Sequence, residues 1–421
     1  MQLERSKGTR DFLPEEQIVR QEIVGRLKAV FELYGYPPLE TPVLERFDVM
    51  ASKYAGGAEI LKETFKLADQ GGRELALRYD LTVPFARIIG MNPQLKMPFK
   101  RYHVGEVFRD GPMGLGRYRQ FTQCDVDIAG CKEVTAEAEL LSLAEKVFDA
   151  LGLEIKIKIN NRKLLNDILT KFKIKKHEEV ILSVDKLAKI GVAGVKKELE
   201  DKGVSEDQID ELLYSVSYKG TNEEKIAYFK GIVQSDGIKE LEDLLNYLKI
   251  IGVEAEFEAA LARGLSYYTG TVIEIFMKKS KIESSVCAGG RYDKMIGEFL
   301  GKGDYPAVGI SFGLDRIHDA YTEMNKAGAK TVAQVYVIPI KTFAQSLKIA
   351  EQLRANGIRT DVDLSGRGPS KNLQYANSLG IPFVAIIGEE ELREKKVKLK
   401  NMQSGEEKLL GIDDCVKAIK A

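Results

Sequence analysis

Residues 117 to 128 read RYRQFTQCDVDI, a stretch whose side chains, taken as a β-strand, sort onto two unlike faces. Successive strand residues point to opposite sides, so Cys124, Val126 and Ile128 share one face and Arg117, Arg119, Gln123, Asp125 and Asp127 share the other. The first face asks for a core. The second carries two guanidiniums, an amide and two carboxylates, and a solvated sheet face accounts for it unless other polar motifs join it. The same period of two runs from about residue 74 to 130, with turn clusters at Arg109-Asp110-Gly111-Pro112 and Gly114-Leu115-Gly116. This pattern predicts antiparallel strands joined by a hairpin loop.

Other segments have other periods. Val19, Ile23, Leu27, Val30, Phe31 and Tyr34 recur at helical steps and predict a helix over 15–34, stopped by Gly35 and Tyr36-Pro37-Pro38. Residues 164–250 are rich in Lys and Glu at helical spacing and predict a helical insertion over about 170–245. Strand-like segments return at 252–258, 271–277 and 283–288, and a helix begins near Asp315. After a linker at Ala327-Gly328-Ala329-Lys330, strands and helices alternate to the end, which predicts a compact α/β domain over 331–421 with a largely parallel sheet. The preceding domain spans 1–326.

Composition excludes several classes. The 63 basic and 63 acidic side chains cancel, so nucleic acid would have to be met by local clusters of Lys and Arg rather than by bulk charge. No apolar run reaches the roughly 18 residues that suggest a membrane span, and the first residues lack a signal-peptide core. Cys124, Cys131, Cys287 and Cys415 show no paired spacing, and His103, His177 and His318 lie far apart. Neither disulfides nor a zinc site is expected, and the reading is cytoplasmic.

Further polar motifs join the 117–128 strand. Asp80 and Thr82 stand before Pro84, a setting that also suits a helix N-cap. Arg109 ends a strand ahead of the glycine-rich loop. Arg263-Gly264-Leu265-Ser266-Tyr267-Tyr268 sets two tyrosines beside glycine, Gly289-Gly290-Arg291-Tyr292-Asp293 follows, and Gly313-Leu314-Asp315-Arg316 enters a helix. Arginines beside permissive backbone suit a polyphosphate, because guanidinium forks pair with phosphate oxygens. Neither a P-loop nor a dinucleotide fingerprint is present.

These motifs resemble the histidyl-tRNA synthetases, a class II aminoacyl-tRNA synthetase family. Lys7-Gly8-Thr9-Arg10-Asp11 is similar to the family's N-terminus, and Tyr36 to Pro42 resembles motif 1, a dimer element centred on Pro42. Phe108-Arg109-Asp110 through Arg119-Gln120-Phe121 resembles motif 2, and Gly313 to Arg316 resembles motif 3. The segments 263–268 and 289–293 resemble the two histidine-specific signatures, although Ser266 stands where the family's signature carries Asp.

The resemblance implies an α+β fold: a six-stranded antiparallel catalytic sheet flanked by helices, a helical insertion, and a C-terminal α/β anticodon-binding domain. It implies ATP as substrate with Mg2+ bridging its phosphates, no zinc, and tRNA(His), histidine and a second copy of the chain as partners. Arg109 would hold the α-phosphate, Arg316 the γ-phosphate, and Arg263 would reach the α-phosphate from the other side, with Arg117 also at the ATP. Asp80, Thr82 and Gln123 would hold the substrate's α-amino group. Asp127 and Tyr268 would grip its imidazole, with Tyr267 and Tyr292 in the same site. Such a grip discriminates because a substrate lacking those bonds leaves buried polar groups unpaired. The rival reading is a non-catalytic histidine-binding paralogue that regulates ATP phosphoribosyltransferase.

Overall fold

The computed structural model describes residues 3–52, 61–114, 116–262, 267–301, 304–324 and 328–420. The chain forms two compact units. One is built from residues up to Arg10 and from Ile23 to Met324, the other from Asp11 to Glu22 and the chain after Met324. Among the described residues no helix is long and apolar enough to cross a membrane.

Helix α1 (Pro14–Leu33) begins with a proline, whose missing N–H costs nothing in a first turn, and with Glu15 and Glu16 at its positive end. In the first unit, buried Ile23, Leu27 and Phe31 recur every four residues. A small sheet follows, made of β1 (Leu44–Arg46), β2 (Lys66–Ala68) and β3 (Glu74–Leu77) in the order β1-β3-β2, with helix α2 (Phe47–Ser52) after β1. The period of two does not continue beyond β3. Thr82–Met91 form helix α3, because the Asp80 carboxylate accepts the backbone N–H groups of Thr82 and Val83 at 3.1 and 3.0 Å. Pro84 falls within the first turn, where it is tolerated, and buried Phe85 and Ile89 lie one turn apart.

The main sheet contains β4 (Phe99–Phe108), β5 (Gln120–Ala129), β6 (Ile155–Asn161), β7 (Ala255–Phe257), β8 (Thr271–Met277), β9 (Cys287–Arg291) and β10 (Ala307–Gly313). Its order is β4-β5-β10-β9-β8-β6-β7. Six strands are antiparallel to their neighbours, and the short β7 adds a seventh that runs parallel to β6. A parallel pair needs a crossover, and here helices α5 (Arg162–Lys171), α6 (His177–Val184), α7 (Leu187–Asp201), α8 (Glu206–Val216), α9 (Asn222–Ile232) and α10 (Asp236–Ile251) supply it.

Those helices are the expected insertion. Local signals start two of them: capping boxes pair Ser205 with Gln208 and Thr221 with Glu224. Lys196 is bound to Glu206 and Asp210 at 2.9 and 3.1 Å, which fits a solvated charged face. Helix α4 (Thr135–Leu151) and α1 cover the apolar side of the sheet, where Phe312 lies 5.6 Å from Phe31 and 5.8 Å from Phe148. Helices α11 (Asp293–Leu300) and α12 (Leu314–Met324) follow β9 and β10.

In the second unit β11 (Val335–Pro339) pairs in parallel with β12 (Thr360–Val362) and β13 (Phe383–Ile387), while β14 (Val397–Asn401) and β15 (Glu407–Leu410) extend the sheet antiparallel. The strand order is β12-β11-β13-β14-β15. Helices α13 (Phe343–Ala355), α14 (Pro369–Ser378), α15 (Glu389–Arg393) and α16 (Ile412–Lys420) complete it. Val335 and Val337 pack into one cluster with Ala350 and Leu353, and Tyr336 and Ile338 into another with Ala376. A strand buried on both faces explains the unbroken apolar run. Asn372, on α14, is fully buried and bridges Asp363 and the Tyr336 hydroxyl, so it serves the fold.

Candidate active site

The register of the main sheet assembles the polar face. Arg101, His103 and Gly105 of β4 stand opposite Asp127, Asp125 and Gln123 of β5, which in turn face Gly309, Ser311 and Gly313 of β10. On β9, Gly290 and Ala288 pair with Gly309 and Ser311. Paired residues project to the same side, so a floor of small side chains borders a ridge of charged ones. Arg117 and Arg119 are not part of this face as strand residues. β5 begins at Gln120, and both arginines belong to the hairpin, where Arg117 bonds back to Gly114 and Arg119 pairs with Asp110 at 3.0 Å.

Two cavities open on this side. The smaller, about 140 Å³, is lined by Asp80, Thr82, Gln123, Asp125, Asp127, Tyr267, Tyr268 and Tyr292, with Gly309 and Ser311 as floor. All seven expected histidine-site residues therefore meet in one place. The Tyr292 hydroxyl donates to Asp127 Oδ1, and the fully buried Arg101 is ion-paired with Asp127 Oδ2 at 2.7 Å. Burial, then the neighbouring Asp127 charge, pushes the Tyr292 phenol far above its usual range. Asp125 is pushed up to about 7, first by burial, with Arg101 pulling the other way and Asp127 adding to the rise. Burial, helped by the charges of Arg101 and Arg78, pushes His103 down to about 3.

The larger cavity, about 360 Å³, lies next to it and shares Arg109, Gln123, Ala288 and Ser311. Arg109, Arg117 and Arg316 all line it. The Arg109 guanidinium lies 4.2 Å from the Tyr79 ring centre and 5.0 Å from that of Phe121, and its Nε donates to the Tyr79 carbonyl at 3.3 Å. Arg316, in the first turn of α12, donates to the Ser285 carbonyl at 2.7 Å. Its neighbour Asp315 accepts the Thr122 backbone N–H at 3.1 Å, tying the start of α12 to β5. Arg263 and Ser266 lie outside the described residues. Among the described residues no group of three or more His, Cys, Asp or Glu could hold a metal ion.

A family model for histidyl-tRNA synthetase matches residues 8–317, and one for an anticodon binding domain matches 334–421. The chain belongs to the histidyl-tRNA synthetase family. Histidyl-tRNA synthetases are aminoacyl-tRNA ligases, and the chain resembles named members along nearly its whole length. It is 48% identical over 415 residues to a histidine–tRNA ligase 1 of Bacillus cereus, covering 97% of this chain and 95% of that one. The crystal structure of histidyl-tRNA synthetase from Nostoc sp. PCC 7120 is 31% identical with a TM-score of 0.87, and the match covers 100% of this chain and 99% of that one. A structure described as an ATP phosphoribosyltransferase regulatory subunit/histidyl-tRNA synthetase from Bacillus halodurans C has a TM-score of 0.76, covering 90% of this chain and 97% of that one. At 24% identity it shows the shared fold alone. The regulatory paralogue has less support than the synthetase, since the ligase relatives match along almost the full chain and an anticodon-binding domain is present.

Reading the sequence for this family site left out Arg101, His103 and Ser311, and gave Asp125 no role. A signal for two of them exists. The period of two that orders Gln123 to Asp127 also puts Arg101, His103 and Gly105 on one face of β4.

Proposed function

We propose that the chain is a cytoplasmic, homodimeric histidine–tRNA ligase that activates histidine with magnesium-bound ATP and passes it to the 3′ end of tRNA(His). The observation that carries this reading is the meeting of an arginine-lined cavity and an acidic, tyrosine-lined one at Arg109 and Gln123. Activation needs such a junction, because the amino-acid carboxylate must reach the α-phosphate of ATP.

Asp80, Thr82 and Gln123 hold the α-amino group. Asp127 and Tyr268 hold the imidazole, with Tyr267 and Tyr292 as the walls. Arg109 and Arg263 take opposite sides of the α-phosphate, Arg316 takes the γ-phosphate, and Arg117 adds a further ATP contact. A carboxylate oxygen of histidine bonds to the α-phosphorus and pyrophosphate leaves. A terminal ribose hydroxyl of the tRNA then attacks the carbonyl carbon, and AMP leaves. Neither step needs a protein nucleophile, so the protein contributes positioning and charge stabilisation. Residues 1–326 act as the catalytic domain and 331–421 meet the anticodon. The dimer forms through the motif around Pro42.

Histidine-dependent ATP–pyrophosphate exchange by the purified chain tests this reading, with Arg263→Ala as the control. Robust exchange with histidine, lost in the control, is expected. Histidine binding without exchange would sink the ligase reading.

The floor of the smaller cavity gives a second test. A Cβ on Gly309 would stand 1.9 Å from Asp127 Oδ1 and 3.1 Å from the Val126 carbonyl, and a central strand has no room to retreat. Gly309→Ala is expected to raise KM for histidine on the order of tenfold or more, with KM for ATP nearly unchanged. Equal rises in both would detach Gly309 from the histidine site.

A further inference from the structure

Asp125 is 2% exposed and lines the smaller cavity, yet the roles just assigned do not use it. The Ser311 hydroxyl, which accepts from Gln123 Nε2 at 2.7 Å, hydrogen-bonds the Asp125 carboxylate. Asp125 Oδ1 has no hydrogen-bond partner among the described residues. The Arg101 charge acts on Asp125, but the bonds of the nearby guanidiniums go to other groups. Arg101 is bound to Asp127 and the Leu81 carbonyl, and Arg78 to the carbonyls of Glu106 and Thr41. The other titratable groups around Asp125 include His103 on β4, Asp127 on β5, Asp80 ahead of α3, and Tyr292, and Arg109, Tyr79, Tyr267 and Tyr268 line the same cavity. Beside Asp125, β10 and β9 present the small residues Ser311, Gly309, Ala288 and Gly290 on this face. His103 is too deeply buried to be charged near neutral pH, and neither ring nitrogen has a partner among the described residues.

Asp127 is already engaged, its Oδ1 by the Tyr292 hydroxyl and its Oδ2 in an ion pair with Arg101. Asp125 Oδ1 is an open acceptor in the cavity, as is Gln123 Oε1. An imidazole presents one ring N–H when neutral and two when protonated, and its usual pKa of about 6.5 lies close to the pH at which a buried carboxyl of this kind changes state.

We propose that Asp125 is a further specificity-determining residue: its Oδ1 accepts a ring N–H of the bound histidine, and the bound pair keeps one proton between carboxyl and ring. This inference rests on the histidine-site reading above. The proton sits on the ring, as imidazolium against carboxylate, or on Asp125, as carboxylic acid against neutral imidazole. Both arrangements contain the same atoms and total charge. An aromatic or aliphatic amino acid can share no such proton and would leave a buried acid without a partner.

At pH 8 the free histidine ring is neutral and the empty site is mostly ionised, so the shared proton must come from solvent. Calorimetric titration of histidine into the full wild-type chain at pH 8, in two buffers of different ionisation enthalpy, reads this directly. Uptake of about one proton per histidine is expected. In Asp125→Asn the uptake should fall close to zero. Its KM for histidine should vary less than about threefold between pH 7 and 8.5, against a rise of about tenfold in wild type. Histidine binding to wild type without proton uptake overturns the proposal even if the variant does not fold, as does full uptake by a folded Asp125→Asn. A chain that binds no histidine at all fails the underlying site reading instead.

Discussion

Arg109→Ala is expected to slow histidine-dependent pyrophosphate exchange by about a thousandfold while KM for histidine changes little. Negative charge grows on the α-phosphate oxygens as the carboxylate attacks, and a guanidinium already in position stabilises that charge without having to reorganise. Arg109 meets this condition. Tyr79 and Phe121 flank it, the Tyr79 carbonyl holds its Nε, and its backbone N–H bonds to the Arg119 carbonyl at 2.8 Å across the hairpin. Arg109 also borders both cavities, where the two substrates must meet. Arg109→Lys should recover little, because an ammonium lacks the planar fork that pairs with two phosphate oxygens. The measurement is kcat for exchange with both substrates saturating, alongside circular dichroism to establish folding. A loss of less than about tenfold in a folded variant would move Arg109 out of the charge-stabilising role.

Arg109 also shows how much of this site the sequence made legible. A period of two needs no knowledge of the partner strand, so Gln123 and Asp127 could be put on one face from their spacing alone. Family motifs then supplied Asp80, Thr82, the tyrosines and the arginines, and every described one lines one of the two cavities. Register was the hidden quantity. Arg101 matters because it stands opposite Asp127, and that pairing depends on where the hairpin between β4 and β5 turns. The same turn ended the strand at Gln120 and took Arg117 and Arg119 off the sheet face. Helix α3 stood only as an alternative beside a strand, because its apolar run reads equally well as a buried strand until the Asp80 cap decides for a helix. The need for glycine at 309 is likewise a property of the neighbouring Asp127 side chain, which no local pattern announces.

The register dependence leads to the second large effect. Arg101→Met is expected to destabilise the chain by about 3–5 kcal/mol. Arg101 is fully buried, its guanidinium 2.7 Å from Asp127 Oδ2, 3.1 Å from the Leu81 carbonyl and 4.7 Å from the Phe85 ring centre. Methionine fills much of the same space, so cavity formation is the smaller part of the cost. The larger part is an aspartate left ionised in a buried site without its arginine. A double variant separates the causes. In Arg101→Met with Asp127→Asn the buried charge is gone, and the asparagine oxygen can still accept from Tyr292. Most of the lost stability should return, as it does when both members of a buried pair are made neutral. Histidine activation should not return with it, because the carboxylate that grips the imidazole has been removed. Denaturant midpoints and exchange kinetics on the three chains check both halves. Recovery of activity in the double variant would show that Arg101 and Asp127 serve the fold alone. A single variant as stable as wild type would show that the buried aspartate does not depend on its arginine.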